Sequence, residues 1–186
     1  MELITGHLGE NHISSDDDAA KYAALIGANN YILDNGSNFG YIIESNNLIT
    51  LEGGEVVFQG RHARTKPSER ENCVIENGSQ GNIRHDLIGV MYQNDAGVES
   101  ARISVIKGEA GTSGKDPSYS KGNIESGATR CFIPLYRVVL NGLNIESVVK
   151  IIETRYKIPN FLPMGTSEPD SSLGEDGDVY FQLVFE

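Results

Sequence analysis

The sequence predicts a mainly β protein: an antiparallel β-sandwich or jelly-roll-like body with one short N-terminal helix and an extended C-terminal arm. Three observations predict it. From Asn30 onward, short apolar runs recur with period-two alternation, which places every second side chain on one face of a strand. Between them lie pairs that tolerate positive φ, namely Asn35-Gly36, Asn46-Asn47, Gly53-Gly54 and Asn77-Gly78. Only one stretch, near the start, carries its apolar residues at helical spacing. The 21 glycines and the absence of tryptophan agree with many turns between short strands.

Each element follows from local chemistry. Leu3-Ile4-Thr5 reads as a short strand, and Gly6, Gly9 and Asn11 punctuate the turn after it. Ser14 or Ser15 then offers a helix N-cap, Asp16, Asp17 and Asp18 fill the first turn, and Gly27 stands where a C-terminal cap belongs. Ala19, Tyr22, Ala23 and Ile26 give this helix one apolar face. Carboxylates at the positive end of a helix dipole stabilise it by about 0.3–1 kcal/mol each, so the aspartates are explained without a metal. Strands are expected at Tyr31-Ile32-Leu33, Gly40 to Ile43, Asn47 to Leu51, Glu55 to Phe58, Cys73 to Ile75 and Asp86 to Tyr92. Asn94-Asp95-Ala96-Gly97 turns the last of these into Ala101 to Ile106 as a hairpin. Gly108 to Gly127, rich in Gly, Ser and Lys, is a polar surface loop. Phe132 to Leu140 returns to strand, with Pro134 marking a bulge or an edge. Ile145 to Ile152 reads as a strand or a short helix. Pro159, Pro163 and Pro169 mark an extended linker, and Asp178 to Phe185 a final strand that pairs with its own sheet or a neighbour's. The expected organisation is thus 1–27 as an N-terminal docking segment, 28–156 as the β-rich body and 157–186 as linker and arm. There is no internal repeat.

Charge narrows the function. With 15 Lys and Arg against 26 Asp and Glu, the net charge is -11, which argues against nucleic acid or an anionic membrane as partner. No apolar run approaches the roughly 20 residues of a membrane helix. The opening residues have neither the basic stretch nor the apolar block of a secretory signal, so a cytosol-like setting is expected. Cys73 and Cys131 are then expected as reduced core thiols.

No catalytic constellation emerges. His7 and His12 share a loop close to Asp16 and Asp17, but without the i, i+4 spacing of a zinc helix. They are read as bonded to backbone in a glycine turn, or seated in an interface. His62 between Arg61 and Arg64 forms a basic cluster, either a salt-bridge hub or a docking spot for an acidic partner, with the second favoured. His85 reads as a surface residue. The run Gly108 to Asp116 has glycines at the wrong spacing for a phosphate loop, and Asp116 stands where a magnesium-binding hydroxyl belongs. Ser113 lacks a nucleophile elbow, and neither cysteine has a local histidine to activate it. The acidic loop Asp170 to Asp178 departs from the EF-hand ladder. Asn35-Gly36-Ser37 and Asn77-Gly78-Ser79 match the glycosylation pattern but are better read as turns. No cofactor is expected.

The stretch Ile4-Thr5-Gly6-His7-Leu8-Gly9-Glu10-Asn11-His12-Ile13-Ser14-Ser15-Asp16-Asp17-Asp18-Ala19 resembles the start of a structural protein from tail and baseplate gene clusters. These belong to tailed phages of Gram-positive bacteria and to related phage-tail-like bacteriocins. The resemblance continues through Phe58 to Arg64, Asn77 to Gly81, Arg84, Asp86 to Ile88, Gly127 to Thr129 and Pro134 to Val138, covering most of positions 4–140. Gly165 to Pro169 and Gly174 to Tyr180 are similar to segments of phage fibre proteins. The resemblance implies a non-enzymatic virion component, assembled in the bacterial host cytoplasm, that binds other tail or baseplate proteins. It also implies a homo-oligomer, with a trimer favoured. Its expected interface residues are His7, His12, Asp16, Asp17, Arg61, His62 and Arg64 at the particle-facing dock, and Val179, Tyr180 and Phe181 on the arm. Two other roles share this composition. One is a receptor-binding module for host cell-wall carbohydrate, with Tyr92, Tyr119 and Tyr156 as the available aromatic platforms; the other is a head-fibre or capsid decoration protein.

Overall fold

The computed structural model describes residues 13–155, 165–168, 170, 172 and 179–184. The chain divides into two units, Met1–Arg155 and Tyr156–Glu186. In the first, helix α1 (Ser15–Ile26) precedes the strands β1 (Asn30–Leu33), β2 (Tyr41–Ser45), β3 (Leu48–Leu51), β4 (Gly54–Phe58), β5 (Arg61–Thr65) and β6 (Glu71–Val74). There follow β7 (Ile83–Asp95), β8 (Val98–Ile106), β9 (Arg130–Asn141), β10 (Asn144–Lys150) and β11 (Glu153–Arg155). These form three sheets, ordered β11-β1-β4-β5, β10-β9-β7-β8 and β2-β3-β6. All pairings are antiparallel except that of β1 with β11. The body is therefore mainly β and antiparallel with one N-terminal helix, in agreement with the sequence reading.

One core joins the three sheets. Ile32 of β1, Ile49 of β3, Val56 and Phe58 of β4, Ile88 of β7 and Ile133 of β9 all belong to it. Long β7 and β9 lie in the middle of their sheet and are buried along most of their length, whereas the outer strand β8 is mostly exposed from Val98 to Arg102 and half-buried from Ile103 to Ile106. Ala96 (φ 51) and Gly97 (φ 91) make the tight β7–β8 turn, the positive-φ pair that matches strand twist. Pro134 sits at a register shift between β7 and β9, so the missing amide donor is absorbed by a bulge inside the sheet and not at an edge. The edges of β2 and β10 are stitched by side chains: Tyr41 Oη donates to the Val148 carbonyl (3.3 Å) and Asn46 Nδ2 to Asn144 Oδ1 (2.8 Å).

Several expectations change. Residues 61–65 form strand β5, which its alternation of polar side chains hides, and Glu153–Arg155 adds a short parallel strand. Ile145 to Ile152 resolves as strand β10 and then the start of β11's approach, not a helix. Gly53 and Gly54 are not a positive-φ turn. A Cβ at Gly54 would lie 2.5 Å from Phe39, so glycine is there for close packing. The polar loop after β8 is not all surface, because Gly108 and Ile124 are buried. Gln59 fastens it, donating to the Gly122 carbonyl (3.0 Å) and accepting from the Ile124 amide (2.8 Å).

In the second unit, Gly165 and Gln182 form an isolated parallel bridge, and the Leu183 amide donates to the Gly165 carbonyl (2.8 Å). Tyr180 Oη donates to the Ser167 carbonyl (3.0 Å). The expected continuous strand from Asp178 to Phe185 is thus replaced, among the described residues, by isolated bridges. These polar contacts tie residues 180–183 to residues 165–167.

Candidate functional site

The region built around α1 gathers most of the residues singled out from the sequence. Its start is a reciprocal capping box: Ser14 Oγ accepts from the Asp17 amide (3.2 Å) and Asp17 Oδ2 accepts from the Ser14 amide (2.8 Å). Hydrogen bonds from the Ser14 side chain, then its backbone, hold the Asp17 carboxyl below its ordinary range. At the other end the Gly27 amide donates to the Ala23 carbonyl (2.9 Å). The last turn has no basic residue of its own. Arg155 supplies the missing cation from β11, donating through Nη2 to the Ile26 carbonyl (2.8 Å) while its guanidinium lies 4.6 Å from the Tyr31 ring centre.

The apolar face of the helix is committed to the body at one point. Ala19 is buried, while Tyr22 is 40% and Leu25 61% exposed. Ala19 rests on the β4–β5 turn, where Gln59 (φ 47) and Gly60 (φ 79) both adopt left-handed backbone. A Cβ at Gly60 would lie 2.0 Å from the Ala19 carbonyl oxygen, so only glycine admits the helix at this distance.

A polar latch completes the seat. Arg61 of β5 reaches Asp16 of the helix through Nη2 (2.5 Å) and Glu99 of β8 through Nε (2.9 Å). Tyr92 Oη of β7 also donates to Glu99 Oε1 (2.5 Å). Partial burial pushes the Glu99 carboxyl up, but hydrogen bonds from Tyr92, Arg61 and Ser15 together with the charge of Arg61 outweigh it and hold the group at about 2. Burial alone would lower Arg61, and its bonds to Glu99 and Asp16 leave it above its ordinary value instead. Burial, with the neighbouring Glu99, raises the Tyr92 phenol.

Beside this latch lies an open cleft of about 310 Å³ between α1, the β4–β5 hairpin and β8. Phe58 and Tyr92, edge to face at 6.0 Å, form its apolar lining, and the tilted pair Tyr22 and His62, 6.1 Å apart, borders it. Asp18 also lines the cleft, and no hydrogen bond or ion pair engages its carboxylate among the described residues. Such a space has the size and the mixed lining of a ligand or side-chain receptacle.

The structure brings Asp16 and Arg61 into contact and puts His62 on the same cleft, while Asp17 serves the helix cap. His62 Nε2 pairs with Glu55 (2.8 Å), so Arg61 and His62 act as an internal hub; Arg64, exposed on the same strand, has no charged partner among the described residues. His7 and His12 lie outside the described residues. Val179 and Tyr180 are half-buried and Phe181 is exposed, all in the second unit. Glu99 and Arg155 escaped the sequence reading, and Tyr22, read as part of the helix's apolar face, is instead exposed on the cleft; a lone glutamate or arginine in a strand carries no local signal of a partner 38 or 129 positions away.

Other charged groups are structural. His85 is not a free surface residue: its Nδ1 lies 2.9 Å from Asp116 Oδ1, and Arg137 grips the same carboxylate through Nε and Nη2 (2.5 Å each). Gly114 covers the other ring nitrogen, since a Cβ there would lie 2.1 Å from Nε2. Buried Arg84 and Asp86 pair at 2.8 Å, and Asp86 accepts from the Gly108 amide (2.9 Å). Both cysteines are buried and unpaired, and burial pushes the Cys73 thiol up to about 12. Of the aromatic platforms, Tyr92 is buried, Tyr119 packs edge to face on Phe132 at 5.7 Å, and Tyr156 lies outside the described residues. Among the described residues no cluster of three or more His, Cys, Asp or Glu is disposed to hold a metal, and no helix is long and apolar enough to cross a membrane. No family model and no curated protein matches the chain.

Proposed function

We propose that this chain is a non-enzymatic structural subunit of a phage tail or baseplate, or of a related tail-like particle. It works as an oligomeric adaptor or fibre-type subunit and attaches to the particle through its N-terminal region. The observation that carries this reading is the way α1 is held. A 12-residue helix is marginal by itself, and this one buries a single alanine against the body while Ile13, Tyr22 and Leu25 stay exposed. The capping box, the Arg61 latch and the Arg155 cap together fix its position and direction with little buried area. An element so firmly oriented and so little buried suits presentation to a neighbour better than support of the core. The β-rich body and the family resemblance of residues 4–140 support the same setting.

The test is deletion of Met1 to Gly27 followed by particle assembly. The expected outcome is a truncated body that keeps its β spectrum in circular dichroism but is absent from purified particles. Normal incorporation of that truncated chain overturns the attachment role.

A further inference from the structure

We propose that the cleft beneath α1 receives one cationic side chain, an arginine or lysine, offered by the protein to which the N-terminal region attaches. The proposal rests on the attachment reading above and names the chemistry of the partner.

The charge balance points to a cation. Three carboxylates, Asp16, Asp18 and Glu99, stand around the cleft against the one guanidinium of Arg61, which already bonds two of them. His62 is engaged by Glu55. Asp18 therefore remains as an unanswered negative charge on the lining, and an entering anion would meet net repulsion. The walls suit the same guest: the Tyr22 ring is partly exposed beside His62, and an aromatic face attracts a guanidinium or ammonium. The space of about 310 Å³ is open to solvent and large enough for a long side chain with its head inside. Its floor is closed by the buried rings of Phe58 and Tyr92, so the methylene stem of that side chain enters a partly apolar space. The exposed apolar side chains of Ile13, just before α1, and of Leu25 on it would then meet the backbone region around such an anchor, the arrangement of a central anchor with a surrounding rim.

The full chain, labelled with nitrogen-15, is titrated with N-acetyl-arginine amide and, separately, with its uncharged isostere N-acetyl-citrulline amide. The expected result is saturable shifts of the amides of Asp18, Tyr22 and Ser100, with dissociation in the millimolar range. Citrulline is expected to bind about fivefold more weakly, and Asp18→Asn to lose about fivefold for arginine while keeping the wild-type spectrum elsewhere. Tyr22→Ala, an exposed position, provides a second variant with the same expected direction. Equal binding of both compounds, shifts confined to another surface, no shifts up to about 50 mM, or an unchanged Asp18→Asn response each overturn the proposal. Absence of the wild-type chain from particles overturns the attachment reading separately, because the titration is made on the isolated protein.

Discussion

Replacing Gly60 by alanine tests how α1 is seated, and Gly81 supplies the control. The two glycines have nearly the same φ, 79° and 77°, but a Cβ at Gly81 meets nothing within 4 Å while one at Gly60 lies 2.0 Å from the Ala19 carbonyl oxygen. Gly81→Ala therefore measures left-handed strain alone, about 1–2 kcal/mol for an L-residue, less some gain from a stiffer unfolded chain. Gly60→Ala adds a clash. Because real Cβ contacts do not fall below 3.0 Å, the helix must withdraw by about 1 Å or detach. The extra cost is capped by what holds the helix. The buried Ala19 methyl contributes about 0.8 kcal/mol, the pair of Arg61 with exposed Asp16 about 0.2–1, and the Arg155 cap about 1. Gly60→Ala is thus expected to cost about 2–3 kcal/mol more than Gly81→Ala. Its melting midpoint should lie roughly 5–10 °C below that of the control. Native-state hydrogen exchange should localise the effect, with amides of α1 at least about tenfold faster and those of β7 and β9 little changed. Equal midpoints for the two variants, with equal protection of α1, would refute the seat.

Other consequences follow from the buried and titrating groups. Arg84→Met leaves Asp86 buried without its cation and should cost about 3–5 kcal/mol in urea unfolding, whereas Arg84→Met with Asp86→Leu should recover part of that loss; a single variant within 1 kcal/mol of wild type contradicts the pair. Glu99 is depressed in the fold, so its stabilisation is complete above its unfolded value of about 4.3 and disappears as pH falls toward about 2. The stability gap between wild type and Glu99→Gln should close across that window, and a gap constant from pH 7 to pH 2 argues against the network. Burial raises both thiols, Cys73 up to about 12, so neither should react with a disulfide reagent near pH 8 until the protein unfolds. Rapid native labelling of two thiols contradicts their placement in the core.

What the sequence reveals depends on how local its cause is. The cap of α1 was legible because Ser14 and Asp17 stand three positions apart and bond each other. So was the β7–β8 hairpin, whose Ala96-Gly97 turn needs positive φ within the turn itself. Strand β5 was not legible, since Arg61, His62 and Arg64 read as a basic surface cluster until β4 and α1 are placed beside them. Gly53-Gly54 showed the opposite failure: the pair resembles a turn, yet it is required by Phe39 and by the 66–67 backbone pressing from elsewhere. In the candidate site, the aspartates and Arg61 were visible as charged residues, but their contact and the cleft depend on β8 delivering Glu99. No window of sequence contains that geometry.

The sign of the charge near α1 also constrains which surfaces can associate. Taken as a sequence cluster, Arg61, His62 and Arg64 invite an acidic partner. In the fold, Arg61 faces inward between two carboxylates and His62 is paired, so around the helix Asp16, Asp17, Asp18 and Glu55 outnumber Lys21 and Arg64, the exposed cations of α1 and β5. In a chain of net charge -11, two copies meeting through this face would bring like charges together and raise the energy of the encounter. A basic protein meeting the same face is attracted before contact is made. In the proposed homo-oligomer, self-contacts are therefore expected on another surface of the molecule.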